Sequence, residues 1–355
     1  QIFNNPPALN HTIFKMFLRI TVLAAFLAAS VSANVRDRSY YEEKFFNWLS
    51  QHKIAAATGE RFVTMLQNFA NNDDLIEAHN AGNHTYTLGH NQFSHMTADE
   101  WREYVKLGLT KNNQPKGEKI HAAPANMMAV PSSVDWVTNG AVTNVKDQGQ
   151  CGSCWSFSTT GAIEGAYEIK YGSLVSFSEQ MFVDCDMRSN GGSDMGCHGG
   201  LMDSAFEWAG KWGGVCTEAD YPYVSGTTKE RGTCDTSCTK NTKAAPKSFT
   251  DVQTNSDSAM MSALAQQPVS IAIEADQAAF QLYKSGVFTA ECGTNLDHGV
   301  LAVGYGTLDG QDYYKVKNSW GPTWGMDGYI LLARGVSQKE GQCGMLSGPP
   351  SYPNL

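Results

Sequence analysis

Two stretches near the start of the chain repeat apolar residues at helical spacing. Tyr40–His52 and Glu60–Asn80 both do so, the second through Phe62, Met65, Leu66, Phe69, Leu75 and Ile76, and both are predicted as helices. A polar stretch with Gly and Pro, Lys111–Lys119, breaks the pattern and reads as a linker. From Val130 onward Gly, Cys and aromatic residues become dense. One helix is predicted over Cys154–Tyr171, and strands over Ser270–Glu274, Val300–Tyr305, Tyr313–Lys317 and Tyr329–Ala333. Helices first and strands later predict an α+β protein whose α-rich and β-rich halves meet at a cleft. No internal repeat or low-complexity tract interrupts this order.

Ahead of the first helix lies a different signal. Met16–Arg19 gives a positive start, Ile20–Ala29 an apolar stretch, and Val31-Ser-Ala33 a small-residue cleavage site, which together read as a secretory signal peptide over 16–33. A membrane-spanning helix would need roughly 20 apolar residues, and this run is shorter. Residues 1–15 hold no start Met and are read as translated leader or gene-model excess. The secretory route, to a lysosome, a vacuole or the exterior, means an oxidising compartment, where most of the nine cysteines should pair. Charge excludes other classes. With 26 Lys plus Arg against 35 Asp plus Glu, and no basic run with interleaved aromatics, no nucleic-acid partner is expected. No membrane partner is expected once the signal is removed.

The candidate chemistry begins at Gln148-Gly-Gln-Cys-Gly-Ser-Cys154-Trp155. A thiol is a useful nucleophile only as thiolate, and the helix N-terminus predicted at Cys154 favours that form. A Cys-x-x-Cys pair could also be a redox motif or half a zinc site. The first would follow a strand in a βαβ unit, and none is predicted here. The second needs two more ligands at tight spacing, and only His198 and His298 lie beyond residue 130. His298 sits between a loop and an apolar strand, where a lone histidine is more often structural. Asn318, in Asn318-Ser-Trp320-Gly, could fix such a base without adding charge, and Trp320 could shield the bond from water.

The Cys-Gly-Ser-Cys-Trp run with His and Asn far downstream resembles the papain-like cysteine proteases. The resemblance covers about residues 130–355 and extends to Ser178-Glu-Gln180, Val183-Asp-Cys185, Gly196-Cys-His-Gly-Gly-Leu-Met-Asp203 and Tyr221-Pro-Tyr223. Residues 34–126 resemble a cathepsin L-group inhibitory prosegment through Phe69, Asn72, Ile76 and Asn80. They depart from it at Arg61 and Met65, where Glu and Arg are usual, and at His95, where the Gly89-x-Asn91-x-Phe93 motif usually ends in Asp. These departures put the segment's local salt bridges in question. The implied organisation is a prosegment over 34–126 and a two-lobed papain-like peptidase domain, one lobe helical and one β-barrel-like, over 127–355.

The resemblance also implies roles. Cys154 would be the nucleophile, His298 its base, Asn318 the orienting group, and Gln148 an oxyanion donor beside the Cys154 N–H. Substrate backbone would pair with Gly199 and Gly200. The S2 pocket would be lined by Leu201, Met202, Ala272, Leu296, Gly299 and Gly348 and would take an apolar side chain, and Trp320 would also belong to the substrate-binding residues. No His-rich insertion follows Gly200, so endopeptidase action is expected. With Cys154 set aside, the resemblance suggests Cys151–Cys197 and Cys292–Cys343 disulfides. Cys185, Cys216, Cys234 and Cys238 would make two more in an order left open. No cofactor or metal is called for, and the expected partners are peptide and protein substrates and the prosegment, on a monomer. A catalytically silent binding homologue and a papain-fold peptide ligase stay open as alternatives.

Histidine placement adds one more expectation. Six of the nine, His52, His79, His84, His90, His95 and His121, fall within 34–126. That segment carries 10 Lys plus Arg and 11 Asp plus Glu, whereas residues 127–355 carry 14 against 24. Acidification through about pH 6.5 should therefore charge mainly the N-terminal segment. His95 is the leading candidate for a buried, neutral trigger. The glycosylation sequon Asn83-His-Thr85 lies in the same segment.

Overall fold

The computed structural model describes residues 36–55, 57–106, 108–109 and 115–355. Residues 1–15, the signal peptide and the first four residues of the linker lie outside these.

The N-terminal segment opens with helix α1 (Arg38–His52), capped by the Asp37 carboxylate accepting from the Tyr40 N–H. It packs on α2 (Gly59–Asn80) through a small core of its own, built from Phe45, Trp48, Leu49, Met65, Leu66 and Phe69. Met65 thus replaces a charge with apolar burial, at 4 % exposure. Arg61 pairs with Glu100 at 3.0 Å, so the departures from the family motif are absorbed by packing and by a surface ion pair. The largest charge cluster of the segment centres on buried Asp73, which receives Lys44 at 2.7 Å, His90 at 2.9 Å and Arg36 at 3.6 Å. A short strand β1 (Tyr86–Leu88), helix α3 (Ala98–Lys106) and strand β2 (Lys119–His121) follow.

The remaining helices are α4 (Cys154–Tyr171), α5 (Glu179–Cys185), α6 (Met202–Trp212) and α7 (Asp257–Leu264), one-turn pieces aside. The remaining strands are β3 (Val134–Asp135), β4 (Ser248–Val252), β5 (Val269–Ile273), β6 (Tyr283–Phe288), β7 (His298–Leu308), β8 (Gln311–Lys317), β9 (Tyr329–Ala333) and β10 (Ser351–Asn354). The expected helix at 154–171 appears with the same ends, and the four expected strands appear as β5, β7, β8 and β9. β4, β6 and β10 carry too few alternating apolar positions to stand out, and form because neighbours bury them.

Strand order is β1-β6-β9-β8-β7-β5-β10-β4-β2, with β3 paired to β7. The sheet does not close on itself, so the β-rich lobe is an open curved sheet rather than a barrel. Both of its outer strands come from the N-terminal segment, β1 antiparallel to β6 and β2 parallel to β4. Two main cores result. One lies under the sheet and takes in Ile76, Tyr86, Phe93 and Trp101 from the N-terminal segment. The other holds α4, α5 and α6 together around Trp155, Phe182 and Phe206. The cleft runs between them. Among the described residues, no helix is long and apolar enough to cross a membrane.

Candidate active site

Helix α4 is buried on nearly all faces over Cys154–Tyr167, so its N-terminus is a rigid platform. Cys154 is its first residue, fully buried and the one cysteine outside the disulfides. The Gly299 N–H donates to its Sγ at 3.2 Å. The Cys151–Cys197 disulfide ties the loop before Cys154 to the loop carrying Gly199 and Gly200, and the Gly152 N–H donates to the Cys197 carbonyl at 3.0 Å. Cys292–Cys343 also forms, and the order left open is settled as Cys185–Cys234 and Cys216–Cys238.

His298 begins β7 on the opposite wall. Its Nε2 lies 2.8 Å from Asn318 Oδ1. That same oxygen accepts from the Ser319 N–H at 2.8 Å, which fixes the amide with its oxygen toward the ring. Nε2 must therefore carry a proton, and Nδ1 is the basic nitrogen. Trp320 stacks on the imidazole at 4.4 Å between centroids and 18°, closing it from solvent. Burial pushes the Cys154 thiol up to about 12, partly offset by the Gly299 N–H. Burial also pushes His298 down to about 4, with the Asn318 bond working the other way. Both shifts favour the neutral form, because burial leaves neither charged form with water around it.

Gln148 is placed by its own amide. Nε2 donates to the Cys151 carbonyl at 3.0 Å and Oε1 accepts from Ser319 Oγ at 2.7 Å, leaving one N–H for another acceptor. Ser319 therefore orients both Gln148 and Asn318. Sequence reasoning passed over it, although its position between Asn318 and Trp320 was a usable signal.

On the other side of Cys154, Gly200 lies against Trp155; a Cβ there would come within 2.5 Å of the indole. Met202 Sδ approaches Gly299, a Cβ on Gly348 would sit 2.7 Å from Leu296 Cδ1 and 3.8 Å from Ala272 Cβ, and Leu201 precedes α6. Met202, Ala272, Leu296 and Gly348 thus lie near one another and near Gly299, with which Ala272 pairs in the sheet.

The cleft is occupied by the N-terminal segment. Leu109 pairs with Gly200 in parallel, and a Cβ on Gly108 would lie 2.4 Å from Cys154 Sγ. Only glycine passes the thiol this closely. Leu109 lines a cavity together with Leu296. Further back, Phe93 and Trp101 meet the Trp320 ring edge-on at 5.8 and 4.9 Å, and Tyr104 Oη donates to the Gly149 carbonyl at 2.9 Å. Nothing in the residue pattern marked Gly108-Leu109 beforehand.

Compared with known protein families, residues 130–352 match Papain family cysteine protease, and residues 45–101 match Cathepsin propeptide inhibitor domain (I29). The chain belongs to the papain family of cysteine proteases. This protease is 40 % identical over 340 residues to the senescence-specific cysteine protease SAG39 of Oryza sativa subsp. indica, covering 95 % of this chain and 97 % of that protein. It is 42 % identical over 355 residues to vignain of Ricinus communis, covering 96 % and 94 %. Among solved structures it resembles a recombinant stem bromelain precursor, with TM-score 0.78, 37 % identity, and 89 % and 99 % of the two chains covered. It also resembles the proform of the ragweed pollen allergen Amb a 11, with TM-score 0.77, 37 % identity, and 90 % and 96 % covered. The papain-family protease described here is accordingly a precursor that carries its own inhibitor domain.

Proposed function

We propose that this precursor matures into an endopeptidase of the secretory pathway that prefers an apolar residue one place before the residue at the cut bond, with Cys154 as nucleophile and His298 as base. The observation that carries the reading is the lone unpaired cysteine at the N-terminus of a buried helix, facing a histidine whose tautomer is fixed by Asn318. When the prosegment leaves, water returns, and the burial that favours the neutral form of both groups is relieved. The Sγ proton passes to Nδ1, and the thiolate attacks a peptide carbonyl. The oxyanion takes hydrogen bonds from the Cys154 N–H and the remaining Gln148 Nε2–H. Nδ1–H then protonates the leaving amine, and water, with His298 as base, releases the acyl group from sulfur.

Leu109 supports the apolar preference, because an apolar side chain of the prosegment already lies between Gly200 and Leu296. A mostly apolar pocket gives about 0.8 kcal/mol per buried methylene. Acid would favour release. His52, His95 and His121 are all held below the ordinary histidine range, burial being the first cause in each. His95 Nδ1 is buried with no partner, and its ring lies 5.5 Å from Trp48. Arg61 reinforces the depression and Glu100 opposes it. A histidine held neutral in the docked state contributes fully above about pH 6.5, and that contribution is lost as pH falls below it.

The test uses the full precursor. Cys154→Ser should leave a folded, unprocessed chain with no turnover of a Phe-Arg fluorogenic peptide and no labelling by a thiol-directed epoxide. Peptidase activity retained in that variant would remove Cys154 from the mechanism. Gln148→Ala should fold, label and turn over substrate about a hundredfold more slowly in kcat, as loss of one oxyanion donor does.

A further inference from the structure

Two buried carboxyls face each other beneath the Gly199–Gly200 edge. Asp186 ends α5 and is fully buried; Asp194, at 5 % exposure, lies in the loop that leads to that edge. Asp186 Oδ1 accepts from the Ser193 N–H at 3.3 Å, and Asp194 Oδ1 accepts from the Leu201 N–H at 2.9 Å. The Oδ2 atom of each has no N–H or hydroxyl donor. With the Ser193 N–H holding Asp186 against the 193–194 backbone, the two carboxyls, each with a donor-less Oδ2, are neighbours, and they can satisfy each other only if one carries a proton, since two carboxylates can only accept. Burial pushes both above the ordinary carboxylate range, and the charge of Asp186 pushes Asp194 further.

The surroundings offer no relief. From α6, Asp203 faces Asp194 and adds a like charge. Arg231 lays its stem against Gly196 and directs its guanidinium to Met187 Sδ, and His198 is exposed. Among the described residues no cation pairs with either member of the pair. The backbone above is tied to the pair. A Cβ on Gly200 would lie 2.9 Å from Asp194 Cγ, and the Met195 N–H donates to the Gly199 carbonyl at 2.9 Å.

We propose that Asp186 and Asp194 share one proton and thereby position the Gly199–Gly200 edge for substrate. They are positioning residues, since neither touches the reacting atoms, and the inference rests on the reading that this edge pairs with substrate. The sign follows from the raised carboxyls. With the loop open, both would titrate near pH 4. Closed, the pair keeps its proton to higher pH. The closed form is therefore favoured most below about pH 4 and loses ground as pH rises, until two buried charges oppose each other and the 187–196 loop yields.

Two readouts separate this inference from the reading beneath it. Enzyme generated by acidifying the full precursor is assayed for kcat and KM across pH, and amide protection in 194–201 is followed by hydrogen exchange corrected for its intrinsic pH dependence. In the wild type, protection should fall and KM rise by up to about tenfold per pH unit once the shared proton is lost. Asp194→Asn can donate to Asp186 without a borrowed proton and still accept from Leu201, so both trends should flatten while the kcat profile stays as it was. Asp186→Asn gives the same reading if Asp194→Asn fails to fold. Protection that falls equally in wild type and Asn variants overturns the proton-sharing pair. Protection that follows the pair while KM does not move overturns the role of the edge in binding substrate, and the positioning role with it.

Discussion

The prosegment and the peptidase domain keep their charges in opposite ways. In the prosegment, Asp73 is buried but its cations, Arg36 and Lys44, are each about one-third exposed, and His90 completes the cluster. In the peptidase domain, Lys146 lies with Glu164 and Glu179 at 3.3 and 2.6 Å, both carboxylates at 1 % exposure. Burial works against the Lys146 charge, yet Glu164 and Glu179 outweigh it and hold the ammonium above its usual range. All four disulfides also lie in the peptidase domain. Three of the prosegment's histidines are held below the ordinary histidine range by burial, whereas the depressed histidine of the peptidase domain is the proposed base. The prosegment thus keeps its charges near solvent and carries several buried histidines, whereas the peptidase domain buries its ion pairs and is cross-linked.

The contrast can be broken from either side. Lys146→Met would take the paired cation from Glu179 and leave Glu164 with Lys317 alone, and should lower the stability of the peptidase domain by about 3–5 kcal/mol. Denaturant unfolding of the precursor should show that loss in the peptidase transition, with the pH of processing little changed. A prosegment transition that moved equally would mean that the two regions do not hold charge separately. Phe45→Ala, in the separate helical core of the prosegment, should cost that core about 3 kcal/mol. Its signature is processing at a pH where the wild-type precursor stays intact, with unchanged kcat in the product. His95→Gln should have the smallest effect. Removing a group that favours release on protonation should lower the pH midpoint of self-processing by about 0.5 unit or less. A midpoint that stays or moves upward leaves carboxylates as the trigger.

Where the sequence was readable, local chemistry and long elements made it so. The 154–171 helix could be read because Gly-rich sequence gives way to an apolar run and then to Gly172, whose left-handed backbone ends it. Cys154, His298, Asn318 and Gln148 could be named because each stands in a distinctive run. Other features depended on contacts between distant residues. The Cys185–Cys234 and Cys216–Cys238 order is decided by how the 225–240 loop folds back on α5 and its neighbours. Asp186 and Asp194 look like ordinary loop acids until the chain turns their carboxyls together. The pairing of β1 with β6 joins residues about 200 positions apart, and three residues of alternating pattern cannot announce it.

Trp320 has a consequence of another kind. Its ring carries the imidazole of His298 on one face and meets Phe93 and Trp101 of the prosegment edge-on. Trp324, from its own loop, lies 5.1 Å away. Three indoles in one cluster exchange excitation readily, and one of them leaves with the prosegment. The precursor therefore carries its own optical gauge: unmasking of the cleft changes the emission of a tryptophan in van der Waals reach of the base, with no label attached and no substrate present.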